Sequence, residues 1–131
     1  MTDSNIPAIA RWHDLVRNPQ PESLHDLLAE NVVLRSPAMY KPKEGRTLVE
    51  PFLWAALTVL APTMTYEHEW LDTDSAVLLF TAEVDGHEVS GVDIVRWDQE
   101  DRLTEFTVMI RPLKGLETVV AAIGNALAAA A

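Results

Sequence analysis

The chain has 131 residues, 20 acidic and 10 basic side chains, a formal net charge of −10, 48% hydrophobic residues and no cysteine. That size fits a single domain, residues 1–131, with a core that needs no disulfide or metal staple, and the apolar fraction is too high for disorder. The acidic balance argues against nucleic acid and anionic membranes as partners, and the missing cysteines exclude disulfides, thiolate catalysis and Cys-ligated zinc or iron–sulfur centres.

Met1 to Asn5 show neither the basic n-region nor the apolar h-region of a secretory signal, so a soluble cytoplasmic domain is expected. Ile6, Ile9, Trp12 (or His13) and Val16 recur at helical spacing, with Ser4 or Asn5 available as a cap. Asn18-Pro19-Gln20-Pro21 stops this helix, and Pro21 opens a short second one through Leu27-Leu28. Val32 to Ser36 is β-rich and ends at Pro37, a short strand. The loop from Ala38 to Arg46 contains Met39-Tyr40-Lys41-Pro42-Lys43, which reads as a lid. Thr47 and Glu50 have capping-box spacing, with Pro51 tolerated in the first turn. Phe52 to Leu60 is apolar nearly all round, which predicts a helix buried on more than one side.

From Met64 the period changes to two. Through Leu71 it places Tyr66, His68 and Trp70 on one face and Glu67 and Glu69 on the other. Ala76 to Val84 is a second strand, Asp85-Gly86 signals a type I′ hairpin, and Glu88 to Trp97 follows. A polar turn, Asp98 to Asp101, leads to Leu103 through Ile110, and Arg111-Pro112 closes the sheet. A last helix runs over Leu116, Val119, Val120, Ile123 and Leu127. Its Ala-rich stretch to Ala131 is short for a membrane span and carries Glu117 and Asn125, which predicts a surface-packed helix. The order predicts an α+β fold with helices on one face of a curved antiparallel sheet.

Period two puts Val89, Gly91, Asp93, Val95 and Trp97 on one face, with Phe106, Val108 and Ile110 on the next strand and Leu78, Phe80, Ala82 and Val84 on the previous one. The opposite face, with Val92, Ile94, Thr107 and Met109, is also partly apolar. A sheet apolar on both sides needs cover on both, which predicts a homodimer through the open face. Asp93 stands mid-strand among apolar neighbours, where burial drives a carboxyl toward its neutral form. It is either a hydrogen-bond donor to a ligand oxygen or a structural acid paired with Arg35, His13 or backbone amides. His13 and His68 are the candidate bases, whereas His25 and His87 read as solvated. Alternation sends Glu67, His68 and Glu69 to opposite faces, and there is no His-Glu-x-x-His motif, phosphate loop or Gly-x-Ser-x-Gly elbow, so neither metal nor cofactor is expected. Tyr40, Trp54, Tyr66 and Trp70 either line a mouth for a flat hydrophobic ligand or belong to the core.

Leu27 through Pro37, Gly45 opening the third helix, and Gly91-Val92-Asp93-Ile94-Val95-Arg96-Trp97-Asp98 running into Leu103 and Arg111-Pro112 together carry a family resemblance. The chain resembles the nuclear transport factor 2-like (NTF2-like) superfamily, in the branch of SnoaL-like polyketide cyclases and ketosteroid isomerases. The resemblance implies a cone whose curved sheet and helices enclose an apolar pocket, with the other sheet face commonly dimeric; such folds host enzymes, binding proteins and transport adaptors. It places Asp93 where the isomerases keep a neutral, hydrogen-bond-donating Asp. Their base, an Asp before Pro, aligns with Ser36 before Pro37, and their donor Tyr aligns near Trp12. The Asp–Arg–Asp relay of epoxide-hydrolase-like members would draw on Arg35 and Asp93 without a third member. Asp101 stands where relatives often have a turn glycine, which implies a more open loop before Leu103. The expectation is a cofactor-independent isomerase, cyclase or hydratase acting on a small hydrophobic or carbonyl-bearing metabolite. Asp93 and His13 would be its catalytic residues, and Trp12, Ser36, Tyr40, Trp54, Phe80, Phe106 and Val108 its substrate-binding residues. The alternative is a non-catalytic ligand-binding or dimeric assembly module in which Asp93 is structural.

Overall fold

The structure, a computed structural model, describes residues 5–130. Its elements are α1 (Pro7–Arg17), α2 (Pro21–Leu27), β1 (Leu28–Arg35), β2 (Lys43–Glu44), α3 (Arg46–Leu60), β3 (Thr65–Leu71), β4 (Ser75–Val84), β5 (His87–Trp97), β6 (Leu103–Arg111) and α4 (Leu113–Ala130). The strands form one curved sheet in the order β2-β1-β6-β5-β4-β3, with the predicted helices packed on it in an α+β arrangement. From β3 to β6 the sheet is the expected antiparallel meander, but β1 joins the far side of β6 in parallel.

Turn chemistry sets the register that positions Asp93. Asp85 (φ 49°) and Gly86 (φ 80°) both take the left-handed region, as a type I′ hairpin requires. The resulting pairing sets Asp93 opposite Leu78 on β4 and Val108 on β6. The β5–β6 turn is closed rather than open. Asp101 adopts φ 61°, tolerable for a short polar side chain, and Asp98 Oδ1 accepts the backbone N–H groups of Glu100 (2.9 Å) and Arg102 (3.1 Å).

Helix starts differ from the local signals. Ile6 is the N-cap of α1, with no side-chain cap bond, and Pro7 opens the helix; the candidate cap Ser4 lies outside the described residues. Gly45, at φ 94°, caps α3, so Thr47 is already helical and the capping box does not form. Pro51 thus falls in the second turn instead of the first. Glu50 accepts from His25 at 2.7 Å instead. The loop after β1 is tethered, because Lys43 and Glu44 pair with Leu34 and Val33.

The inner sheet face carries the core, with Phe80, Phe106, Leu78 and Val95 fully buried beside Ile9, Leu15 and Leu24 of the helices. Gly91 is needed for close packing: a Cβ there would stand 2.2 Å from the Met109 carbonyl oxygen and 2.8 Å from the Phe80 ring. α4, among the described residues, is long and apolar enough to cross a membrane by length and composition, so the expectation that it is too short fails. Part of that apolarity has a local use, since Leu116, Val119, Val120, Ile123 and Leu127 line an internal cavity. The outer sheet face keeps Trp70 and Met109 more than half exposed.

Candidate functional site

Between the inner sheet face, α1, α3 and α4 lies a cavity of about 330 Å³, within the range of small-molecule sites. Its wall comprises apolar residues of β1, β6, α3 and α4, the loop segment Pro37-Ala38-Met39, Trp12, Ser36 and Asp93. Among them Asp93 is the one ionisable side chain.

Asp93 is 3% exposed. The Tyr66 hydroxyl donates to its Oδ2 at 2.5 Å, and Trp12 Nε1–H donates to Tyr66 Oη at 2.7 Å. Burial pushes the Asp93 carboxyl up to about 7, opposed by the Tyr66 hydrogen bond, which favours the ionised form. Burial, with the neighbouring Asp93 carboxylate, holds the Tyr66 hydroxyl well above its usual range, so it stays protonated and donates.

The expected partners of Asp93 are elsewhere. Arg35 projects from the outer face and pairs with Glu105 at 3.0 Å, because β1 residues alternate and Leu34, not Arg35, faces inward. This removes both a structural Arg35–Asp93 pair and an epoxide-hydrolase-like relay. His13 is buried but bonds Glu69 through Nε2. It lies outside the cavity lining, with its ring edge-to-face on Tyr66 at 5.2 Å.

Glu69 reaches the interior because β3 is bulged. The register slips between Tyr66 (opposite Phe80) and His68 (opposite Leu79), so Glu69 comes to face Leu78 on the inner side and His68 and Trp70 turn outward. Uninterrupted alternation, which grouped Tyr66 with His68 and Trp70, misses this. Three consecutive polar residues, Glu67-His68-Glu69, were the available signal of a break in the pattern.

Of the other expected ligand-binding residues, Trp12, Ser36, Phe106 and Val108 line the cavity. Trp12 also stacks edge-to-face on Phe106 at 4.9 Å, and its N–H is taken by Tyr66 instead of being free for a ligand. Tyr40 does not line it: the residue is 100% exposed at the tip of the tethered loop. Trp54 packs against the core outside the lining, and Phe80 lies beneath Gly91 and Tyr66, behind the wall. Ser36 Oγ accepts the Ala38 N–H at 3.2 Å, holding the turn at the cavity edge.

A steroid delta-isomerase from Pseudomonas aeruginosa is 34% identical over 94% of this chain and 90% of that one, with a TM-score of 0.87. The chain belongs to the nuclear transport factor 2-like superfamily, in its SnoaL-like and ketosteroid-isomerase-like branch. A bacterial protein with a cystatin-like fold from Silicibacter pomeroyi is 26% identical, covering 92% of this chain and 85% of that one, with a TM-score of 0.84. A SnoaL-like polyketide cyclase from a Jannaschia species shares the fold at 12% identity and a TM-score of 0.68, covering 92% of this chain and 98% of that one. No protein-family profile and no curated protein matches the chain. Asp93 lies in the cavity wall, and the resemblance sets it at the isomerases' acid position, with Ser36 and Trp12 at the positions of their base and donor tyrosine.

The raised Asp93 value makes stability depend on pH. Below about pH 4 the carboxyl is neutral in both folded and unfolded chains. Between that point and about 7 only the unfolded chain ionises, so stability falls as pH rises, by about 4 kcal/mol in total. Asp93→Asn removes this loss. Melting curves should show the variant gaining on the parent from about pH 4 to about pH 7 and holding a constant advantage above that.

Proposed function

We propose that the chain binds a small, uncharged hydrophobic compound bearing a carbonyl oxygen and acts on it as a cofactor-independent isomerase, cyclase or hydratase. Asp93, in its neutral form, donates a hydrogen bond to that oxygen and stabilises the enolate or alkoxide charge that develops there. The observation that carries this reading is a single acid, its carboxyl pushed up to about 7, in a largely apolar cavity wall whose lining holds no cation to pair an anionic ligand. Likeness to a steroid delta-isomerase supports a ring ketone as the ligand type. With Ser36 at the isomerases' base position, steroid isomerisation in its usual form is not what the site is built for. Binding without turnover is the second reading, favoured by the lack of another acid–base group in the lining; under it a bound ketone is recovered unchanged.

Calorimetry with 2-adamantanone from pH 5 to 9 tests the donor. Affinity should be level below about pH 7 and fall about tenfold per pH unit well above it, as the neutral form is lost. Tighter binding at high pH, or equal binding of adamantane, would overturn the reading. Asp93→Asn, which keeps an N–H donor, should bind without this pH dependence. If there is turnover, Asp93→Ala should lower kcat by a factor on the order of 10²–10³.

Ser36→Asp puts a carboxylate on the cavity edge where the isomerases carry their base. It should raise proton transfer on a β,γ-unsaturated ring ketone above the parent level, followed by absorbance of the conjugated product.

We further propose that a second copy covers the outer sheet face, where Trp70, Val77, Leu79, Val92, Ile94 and Met109 form a partly exposed apolar strip. A two-fold contact of this self-complementary kind is the commonest assembly. Sedimentation should give a dimer for the parent and a monomer for Met109→Glu; a monomeric parent at high concentration would refute it.

A further inference from the structure

The hydrogen bonds behind Asp93 have a direction fixed by chemistry. An indole N–H can only donate, so Trp12 Nε1 gives its proton to Tyr66 Oη. The Tyr66 hydroxyl accepts there and has one proton of its own to place. The acceptor it reaches is Asp93 Oδ2, at 2.5 Å. That oxygen is therefore committed as an acceptor. The other oxygen, Oδ1, has no protein partner among the described residues and is not sealed off as a buried orphan, while Asp93 itself lines the cavity.

We infer that Trp12 and Tyr66 are positioning residues: a one-way hydrogen-bond chain from α1 through β3 to β5 that keeps the Asp93 proton on Oδ1 and turns it into the cavity. Tyr66 acts entirely from behind the wall, since it does not line the cavity. The arrangement also narrows the ligand class, and in this it rests on the carbonyl reading above. One committed oxygen leaves a single O–H donor, which suits one carbonyl oxygen and not the two-pronged contact of a guanidinium or amidinium group.

The ionisable groups near the chain are few. β3 contributes Tyr66 and Glu69, and α1 contributes His13, which is bonded to Glu69. β4 turns Leu78 and Phe80 inward, and the cavity-lining residues of β1, β6, α3 and α4 add none. The Tyr66 bond therefore has little competition in setting where Asp93 titrates.

The test reads Asp93 directly, by a ¹³Cγ NMR titration of aspartate-labelled protein without ligand, its signal assigned by its loss in Asp93→Asn. Tyr66→Phe removes a bond that favours the carboxylate and should move the Asp93 midpoint up by about one to two pH units. Trp12→Phe leaves Tyr66 a weaker donor and should move it the same way by less. Incorporating 3-fluorotyrosine preserves the packing and makes Tyr66 a better donor, so the midpoint should move down. This substitution is practical because the chain has two tyrosines and Tyr40 is fully exposed. Opposite shifts for the phenylalanine and fluorotyrosine proteins support the chain. A midpoint unmoved by fluorotyrosine, or by Tyr66→Phe in a variant that melts cooperatively, overturns it. Because no ligand is present, failure to bind any ketone would sink the proposed function and leave this inference standing, and the reverse also holds.

Discussion

One carboxyl group in an apolar wall, held by one phenol hydroxyl, is the constraint to which much of this molecule is fitted. Desolvation pushes the Asp93 carboxyl up, toward its neutral form, and a hydrogen bond to its charged form pulls the other way. The balance falls near neutrality, with Tyr66 close and no cation beside the carboxyl among the described residues. Several otherwise unrelated features serve that contact. The type I′ hairpin fixes the register of β5, and the missing side chain at Gly91 lets Phe80 lie flat beneath the strand. Trp12 reaches the phenol from the helix layer.

The same acid works against the fold at neutral pH, because the unfolded chain ionises more readily than the folded one. An apolar residue at position 93 would carry no such burden. Perturbed acids retained in clefts are associated with function more often than elsewhere. The wall around Asp93 agrees with that reading. α3 and α4 supply leucine, valine and isoleucine to the cavity without any polar group to match the acid, so the polarity of the site is concentrated at one point.

Membership of the superfamily fixes the scaffold and leaves the chemistry to the side chains. Two positions that the resemblance assigns to acid–base and donor roles hold other residues here. Ser36 is engaged in a local turn, and the Trp12 N–H is directed at Tyr66 instead of the cavity. His13, whose ring packs edge-to-face on Tyr66, is bonded to Glu69 outside the cavity lining. Asp93, which the resemblance sets at the isomerases' acid position, is here held by the hydrogen-bond chain from Trp12 through Tyr66.

The pattern of residues along the chain was enough to define the meander, the helix faces and the prominence of Asp93. Alternation across β4, β5 and β6 depends only on which side chains prefer water, and Asp85-Gly86 has few conformations open to it. Local signals misled where several starts were possible: Thr47 and Glu50 have the spacing of a cap, but Gly45 with its free φ begins the helix two residues earlier. The partners of Asp93 were not legible. Arg35 and His13 are plausible by charge, and only the strand pleat and the packing of α1 show that both face other carboxylates. The decisive contact, Tyr66 to Asp93, joins residues 27 apart in sequence. Tyr66 was visible as an aromatic on a strand. The bulge beside it, which turns Glu69 inward to meet His13, is set by pairing with β4; the polar run Glu67-His68-Glu69 marks a break in the period of β3 without showing which of the three turns inward. Sequence by itself determined which faces are apolar, because that is a property of each side chain; which polar groups meet inside was decided by tertiary packing, because it depends on distances between elements that no local pattern encodes.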